Sequence, residues 1–284
     1  MRITHPTREK LNEASMKWCH NRGTGLVDKA VTVGPKRKRR LPRIPSWVIL
    51  GALVGLLILG GLACLPAKGT PYSEPPEPAS SLPQPSPQPR TENVSDYIES
   101  TNPLVRDTAV LAVQNSPADI EANSEVWKIW KINYWVANNI SYVSDPKGHN
   151  YFAYAHETLQ ARGGDCDDFS ILLASMYEAV GLDAAIASID TDDDVKPNHM
   201  TCLVYYPEDG DTFIKEEIII LGMIGLNTQV RVIYFDPAKS KLLPEKYTTG
   251  VWIVADPTMA MDKDKVGYVI HKPYKATLVI DVGS

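Results

Sequence analysis

Residues 161–184 read ARGGDCDDFSILLASMYEAVGLDA, and the interpretation of the whole chain starts from this stretch. Asp165 is a favoured residue for the N-cap of a helix, and Asp168 stands three residues later, as in a capping box. The apolar residues that follow predict a helix over about 166–180, which the next glycine ends. Cys166 therefore falls at the first position of a helix, directly between aspartates.

The segments on either side of this helix differ in their hydrophobic period. Before it, helical spacing predicts helices over about 104–114 and 124–139 and a short helix in AHETLQARGG. The apolar run at 216–227 fits either a helix or a strand. After the helix, β-branched and apolar runs predict strands at 184–189, 199–206, 230–235, 250–257 and 276–282. Helices followed by strands predict an α+β fold, in which an antiparallel sheet packs on the helices.

The net charge of −5 hides two parts of opposite sign. Residues 1–45 have 12 lysines and arginines against three acids, whereas residues 66–284 have a net charge of −14. Between them, SWVILGALVGLLILGGLACL at 46–65 contains no charged residue. A helix of this length, at about 1.5 Å per residue, spans the roughly 30 Å hydrocarbon core of a bilayer. The run therefore predicts one transmembrane helix.

Charge and proline content predict the order of the parts along the chain. The basic run KRKRRLPR abuts the apolar run, and positive residues stay on the cytoplasmic side. This membrane role accounts for the basic run, so we expect no nucleic-acid partner. The dense prolines after the apolar run prevent a helix or sheet from propagating. We predict a basic cytoplasmic tail (1–45), a transmembrane helix (46–65), a Pro-rich extracytoplasmic linker (66–92) and an extracytoplasmic folded domain (93–284).

A cysteine at the start of a helix is a candidate nucleophile. Unsatisfied N–H groups and the helix dipole favour a negative charge there, so a thiolate is expected to be stabilised. Gly163 and Gly164 permit a close approach and leave room for a substrate carbonyl. The neighbouring carboxylates oppose a thiolate, and we expect Asp167 and Asp168 to serve the helix start. A structural role for Cys166 is the alternative.

A cysteine nucleophile needs a base, and the base needs a residue that orients it. His199 begins a predicted strand and is the favoured base, whereas His156, ten residues before Cys166, is the rival. Asp256 lies at the end of a predicted strand, where Pro257 stops the ladder, and could receive an imidazole N–H. Candidate side chains for an oxyanion hole, by proximity in sequence, are Tyr151, Tyr154 and His156.

The blocks ETLQARGGDCDDFSILLASMYEAVGLDA, HMTCLVYY and VWIVADPT, in this order, resemble the transglutaminase-like superfamily, particularly its prokaryotic members. With the upstream WVANNISYVSD, the resemblance covers about residues 125–260. It implies a papain-like α+β core with Cys166 as nucleophile, His199 as base and Asp256 as the residue that orients the base. It also implies that no metal or organic cofactor is needed.

Two features depart from the family pattern. Thr201 stands where many members have an aromatic residue, and the stretch 200–255 between base and orienter is long. Cys202 is an odd number of residues from His199, so on a strand it should face the opposite side and lie in the core. A disulfide between Cys166 and Cys202 is the competing possibility outside the cell, and it would silence the enzyme.

Two further patterns have alternative interpretations. DTDDD at 190–194 clusters carboxylates as calcium sites do, but it lacks the glycine and glutamate of a calcium-binding loop. We interpret it as a solvated loop. Asn93 and Asn139 begin NVS and NIS, which match the glycosylation acceptor pattern.

The sequence therefore predicts a membrane-anchored thiol enzyme that acts outside the cytoplasm on peptide or carboxamide bonds of a peptide or protein substrate. Hydrolysis is favoured over transfer to an amine because water is at roughly 55 M and no feature is dedicated to its exclusion. The alternative is a non-catalytic module of the same fold that binds cell-envelope polymers.

Overall fold

The computed structural model describes residues 26–31, 91, 93–121, 123–146, 151–269 and 273–283. A strand, β1 (Leu26–Val31), comes first, and a single 3-10 turn at Val94–Tyr97 opens the main domain. The helices predicted before the strands are all present, with bounds within a few residues of those expected. They are α1 (Pro103–Val113), α2 (Glu125–Asn139), α3 (Ala155–Ala161) and α4 (Cys166–Ala179), and β2 (Ser141–Tyr142) and β3 (Gly163–Gly164) form a short parallel pair between them.

One antiparallel sheet follows the helices, as predicted for an α+β fold. Its strand order is β1-β6-β7-β5-β4-β8, and every neighbouring pair is antiparallel. The ambiguous run at 216–227 falls largely in a helix, α5, that connects β5 to β6. The bounds are β4 (Ala184–Asp190), β5 (His199–Tyr206), α5 (Gly210–Met223), β6 (Val230–Phe235), β7 (Val251–Ala255) and β8 (Lys275–Asp281).

Both faces of the sheet are covered, which explains why its central strands read as nearly continuous apolar runs. Ala184 and Ile186 of β4 face the helices, whereas Ala185 and Ala187 belong to a second cluster on the opposite face. The second cluster includes Tyr274 and side chains from the loops that follow β6 and β7. The alternation along β4 has a period of two, as strand geometry requires.

β1 lies within residues 1–45, which the sequence assigns to a cytoplasmic tail and not to the folded domain. Leu26–Val31 pair with Val230–Phe235, which extends the sheet beyond β6. This pairing requires both strands to lie on the same side of any membrane. The predicted membrane segment at 46–65 and the linker at 66–92 lie outside the described residues, apart from Thr91. Within the described part of the chain, no helix is both long enough and apolar enough to cross a bilayer.

A buried carboxyl in α5 predicts that the domain loses stability as the pH rises. Glu217 is fully buried, and its Oε1 accepts a hydrogen bond of 2.8 Å from the N–H of Val266. Burial raises the pKa of Glu217 to about 8, against the opposing attraction of Lys265. The folded state therefore holds a proton that the unfolded state loses near pH 4.5, so stability is full below that pH. We expect a loss of several kcal/mol between pH 4.5 and 8.

Glu217→Gln removes this ionisation and should reduce the dependence of stability on pH across that window. Urea unfolding of the full chain at several pH values measures the effect. The exposed Glu245, changed to Gln, is the matched control and should leave the pH dependence as it is in the wild type. An equally steep loss of stability in the Glu217→Gln protein would contradict the prediction.

Candidate active site

Cys166 occupies the first turn of α4, and the predicted capping box is present. Asp165 Oδ1 accepts a hydrogen bond of 3.1 Å from the N–H of Asp167, and the side chain of Asp165 also accepts the N–H of Asp168. In return, Asp168 Oδ2 accepts the N–H of Asp165 at 3.2 Å. Asp168 Oδ1 also accepts the N–H of Ala153 at 2.8 Å. The cap therefore fixes the start of α4 and ties the segment before α3 to it.

The glycine before this cap makes room for Asp168, a role that the sequence did not indicate. A Cβ on Gly164 would lie 2.5 Å from Asp168 Cβ and 2.6 Å from Asp168 Oδ2. Distances this short require atoms to move, so Gly164 lets the capping carboxylate approach the backbone. The reason for the glycine is therefore the helix cap itself.

The environment of the Cys166 thiol corrects the expected low pKa. Cys166 Sγ–H donates to Asp167 Oδ1 at 3.5 Å. Burial and then the Asp167 carboxylate raise the pKa of Cys166 well above its usual value, and the backbone N–H of Met200 opposes this only in part. Burial and Asp165 in turn raise the pKa of Asp167 to about 6. These effects favour a protonated thiol in the resting site.

His199 begins β5 and lies beside Asp256, which follows β7. His199 Nε2 and Asp256 Oδ2 are 2.7 Å apart, and the two side chains are 9% and 2% exposed. Burial raises the pKa of Asp256, but the charge of His199 and three side-chain hydrogen bonds outweigh it and lower this pKa. An ionised Asp256 holds the imidazole through Nε2, which leaves Nδ1 as the ring nitrogen that can accept a proton.

The rival histidine is engaged elsewhere. His156 Nδ1 and its backbone N–H lie 2.7 Å and 3.0 Å from the same oxygen, Glu99 Oε2. Tyr154 packs on the buried Tyr97, with ring centroids 4.7 Å apart. Both side chains therefore belong to the packing around α3. Tyr151, the third residue named for an oxyanion hole, is exposed.

An open groove of about 230 Å³ lies beside the imidazole. Tyr142 of β2 and the Thr258–Met259 turn form part of its lining. The remaining lining residues are Thr191, Asn198 and His199. A substrate in this groove would meet the histidine directly.

The two other features weighed from the sequence are also visible. Cys202 is fully buried on the helix side of the sheet, and Cys166 and Cys202 are both free thiols, so the structure does not contain the competing disulfide. The described residues contain two clusters of three side chains that could hold a metal ion. Within each cluster, the potential ligand atoms lie within 4.8 Å of one another. These are Asp165, Cys166 and Asp167, and Asp190, Asp192 and Asp194. The Asp190 carboxylate already accepts three backbone N–H groups of its own loop.

Reasoning from the sequence missed the contact of Tyr274 with Asp256. It placed the neighbouring carboxylates against a thiolate but did not identify the hydrogen bond of Cys166 to Asp167. Tyr274 Oη donates to Asp256 Oδ2 at 2.8 Å, and the thiol of Cys166 contacts Asp167. The sequence signal for Asp167 was its position next to the cysteine, but it was assigned to the helix start. Tyr274 gave no signal, because its distance from Asp256 depends on how the segment before β8 crosses the sheet.

Replacing Asp167 with Asn should make Cys166 more reactive. The change removes a carboxylate charge 3.5 Å from the thiol, so the pKa of Cys166 should fall. We expect carbamidomethylation by iodoacetamide at neutral pH to become about tenfold faster. Mass spectrometry of the Cys166 peptide against time measures the rate.

Asp194→Asn is the control for this prediction, because it removes the same charge from an exposed loop. It should leave the rate of Cys166 modification unchanged. An Asp167→Asn protein that reacts at the wild-type rate would show that the carboxylate does not suppress the thiolate.

The chain was compared with protein-family models, curated proteins and solved structures. The model of the transglutaminase-like superfamily matches residues 116–257. No curated protein matches the chain. A candidate cysteine protease from Cytophaga hutchinsonii is 24% identical with a TM-score of 0.30, over 38% of this chain and 35% of its own. A candidate protease from Parabacteroides distasonis is 15% identical with a TM-score of 0.31, over 39% of this chain and 23% of its own. Calcium-bound LapG from Legionella pneumophila is 15% identical with a TM-score of 0.33, over 64% of this chain and 79% of its own.

The family match covers half of the chain. It includes the blocks on which the resemblance rests, from the GDC block to the strand that ends before Pro257. The α+β arrangement of helices on an antiparallel sheet, with a cysteine opening a capped helix, is consistent with the core of that family. The chain belongs to the transglutaminase-like superfamily.

Proposed function

We propose that this chain is a thiol enzyme that acts on peptide or carboxamide bonds through Cys166, His199 and Asp256. The observation that carries the proposal is the 2.7 Å contact between His199 Nε2 and Asp256 Oδ2. Both side chains are almost completely buried. This contact orients the imidazole of His199. The next residue on β5 is Met200, whose backbone N–H contacts the Cys166 thiol. These contacts support a site that combines a nucleophile, a base and a residue that orients the base.

The resting thiol is neutral, so proton transfer accompanies the attack. His199 Nδ1 takes the proton of Cys166 as Sγ forms a bond to the substrate carbonyl carbon. The imidazolium then gives this proton to the leaving amine or ammonia as the carbon–nitrogen bond breaks, which leaves a thioester. Water attacks the thioester, His199 takes its proton, and the acid product leaves as the proton returns to Sγ.

The first turn of α4 supplies a donor for the oxyanion that forms during the attack. The N–H groups of Asp167 and Asp168 are already bound by the Asp165 side chain. Among the first-turn N–H groups, that of Cys166 itself is therefore the donor we assign to the oxyanion. It lies on the nucleophile, so it needs no further element to bring it close.

Hydrolysis is the favoured outcome of the acyl-enzyme. The groove beside His199 is open and large enough for several water molecules, each of which takes about 30 Å³. A transferase would need to keep water from the thioester. The substrate class we propose is a peptide or protein.

The test uses the full chain in detergent, a glutamine-containing peptide and a fluorescent primary amine. We expect hydrolysed peptide that depends on Cys166, with little amine attached, and no product with the Cys166→Ala protein. Efficient attachment of the amine would overturn the preference for hydrolysis. Product that persists in the Cys166→Ala protein would overturn the assignment of the nucleophile.

Iodoacetamide labelling separates an enzyme from a non-catalytic binding module of the same fold. Cys202 is fully buried, so a faster reaction at Cys166 than at Cys202 does not discriminate. The effect of His199 on the rate of labelling does discriminate, because a neutral thiol reacts slowly unless His199 accepts its proton. A His199→Ala protein that is alkylated at Cys166 as fast as the wild type would contradict the enzyme.

Residues 46–65 anchor the enzyme, with 1–45 in the cytoplasm and the domain outside. The uncharged apolar run beside KRKRRLPR supports this topology. This topology excludes the β1–β6 pairing within one molecule, because β1 and β6 would lie on opposite sides of the membrane. In the anchored chain, the edge of β6 would therefore not be paired with β1. In intact cells, an impermeant maleimide should then miss Cys19 until the membrane is opened. Labelling of Cys19 in intact cells would overturn the single crossing and agree with the pairing.

A further inference from the structure

Asp256 accepts four hydrogen bonds, divided between its two oxygens. Oδ1 accepts from Thr258 Oγ1 at 2.7 Å and from the N–H of Met259 at 3.1 Å. Oδ2 accepts from His199 Nε2 at 2.7 Å and from Tyr274 Oη at 2.8 Å. The bonds to Oδ1 come from the turn that Asp256 itself begins. Two of these four donors bind Oδ2, the oxygen that faces the imidazole. One is the imidazole itself, and the other is Tyr274.

Tyr274 is built into the site as a permanent donor. Its side chain is 2% exposed, and its ring meets the His199 ring edge-on, with centroids 6.5 Å apart. Burial, and then the charge of Asp256, raise the pKa of Tyr274 well above its usual value. The hydroxyl therefore keeps its proton at every pH at which His199 could serve as a base.

Thr201 completes the arrangement. It lies two residues after His199 on β5, so both side chains point to the same face of the strand. Thr201 is 1% exposed, and its hydroxyl lies near enough to that of Tyr274 to oppose the rise in the pKa of Tyr274. The aromatic residue expected at position 201 in many family members is absent. An aromatic contact to the imidazole comes instead from Tyr274, across the sheet.

We propose that Tyr274, oriented by Thr201, is a positioning residue that keeps Asp256 Oδ2 aimed at His199 Nε2. The inference rests on the proposed function and adds a residue that its reaction needs but that touches no reacting atom. Without the Tyr274 bond, the carboxylate is held mainly at Oδ1 and can turn Oδ2 away from the ring. A less fixed imidazole then accepts the Cys166 proton less often.

The test compares Tyr274→Phe with the wild-type full chain. Loss of one hydrogen bond to a charged group should slow carbamidomethylation of Cys166 at neutral pH about tenfold. The matched control is Tyr177→Phe, because Tyr177 is equally buried and donates to Ile129 O at 3.1 Å near the far end of α4. It loses a buried hydroxyl bond too, but should keep the wild-type rate. Thr201→Val should slow the reaction in the same direction by a smaller factor.

A spectroscopic measurement separates positioning from a general loss of stability. With nitrogen-15 in the histidines, the Nε2–H signal of His199 reports its bond to Asp256. We expect this signal to be weakened by exchange with water in Tyr274→Phe and retained in Tyr177→Phe. A wild-type rate together with a retained signal in Tyr274→Phe would overturn the inference. If His199→Ala has no effect on the same rate, the proposed function fails instead, whatever Tyr274 does.

Discussion

Replacing Asp256 with Asn is expected to lower the rate of peptide hydrolysis about 10³- to 10⁴-fold. All four groups around the carboxylate are donors, and the N–H of Met259 cannot reverse its role. The Asn carbonyl should therefore remain on the Oδ1 side, which turns the NH₂ group toward His199. The imidazole must then accept at Nε2 and carry its proton on Nδ1, where it cannot take the proton of Cys166.

The hydrolysis assay with the glutamine-containing peptide measures this loss. Asp209→Asn is the matched control, because Asp209 caps α5 and Asn serves equally well as an N-cap. It should hydrolyse the peptide at the wild-type rate. Retention of more than about a tenth of the wild-type rate by Asp256→Asn would contradict the tautomer argument.

Gly164→Ala should strongly destabilise the start of α4, although Gly164 itself lies just before the helix cap. Its Cβ would fall 2.5 Å from Asp168 Cβ, so Asp168 must leave its place. The hydrogen bonds of Asp168 to Asp165 and Ala153 would be lost with it. Overpacking and loss of a cap together predict a cost of about 3 kcal/mol in the free energy of unfolding. Urea unfolding of the full chain measures the cost.

Gly163→Ala is the control that isolates the position of the clash. Its Cβ would meet Val143 Cγ2 at 3.1 Å and Ser141 O at 3.4 Å, which small movements relieve. We expect a cost of about 1 kcal/mol or less there. Equal destabilisation by the two changes would mean that the cap does not depend on the space at Gly164.

The fold could be predicted from the sequence because its signals are local. Asp165 and Asp168 define the start of α4 within one helical turn, and the period of the apolar residues separates helices from strands. The run at 216–227 stayed ambiguous because a helix that is apolar on most sides has no clear period. Glu217 lies within this run and is buried, which the sequence does not indicate because a glutamate is usually exposed.

The site was predictable in its residue types and less so in its chemistry. The sequence favoured His199 over His156 as the base, and in the structure Glu99 engages His156. The helix start indicated a stabilised thiolate. Burial and the Asp167 carboxylate instead raise the pKa of Cys166, because desolvation of a charge outweighs a partial dipole.

The sequence by itself determined the capped cysteine, the order of helices and strands, and the family. These depend on hydrogen bonds and periodicity within a few residues. The tertiary structure decided which histidine meets Asp256, because His199 and Asp256 are 57 positions apart in the sequence. It also decided that Gly164 serves Asp168, that the thiol rests protonated, and that Tyr274 reaches Asp256. Each of these depends on burial and on contacts across the sheet, which no local pattern encodes.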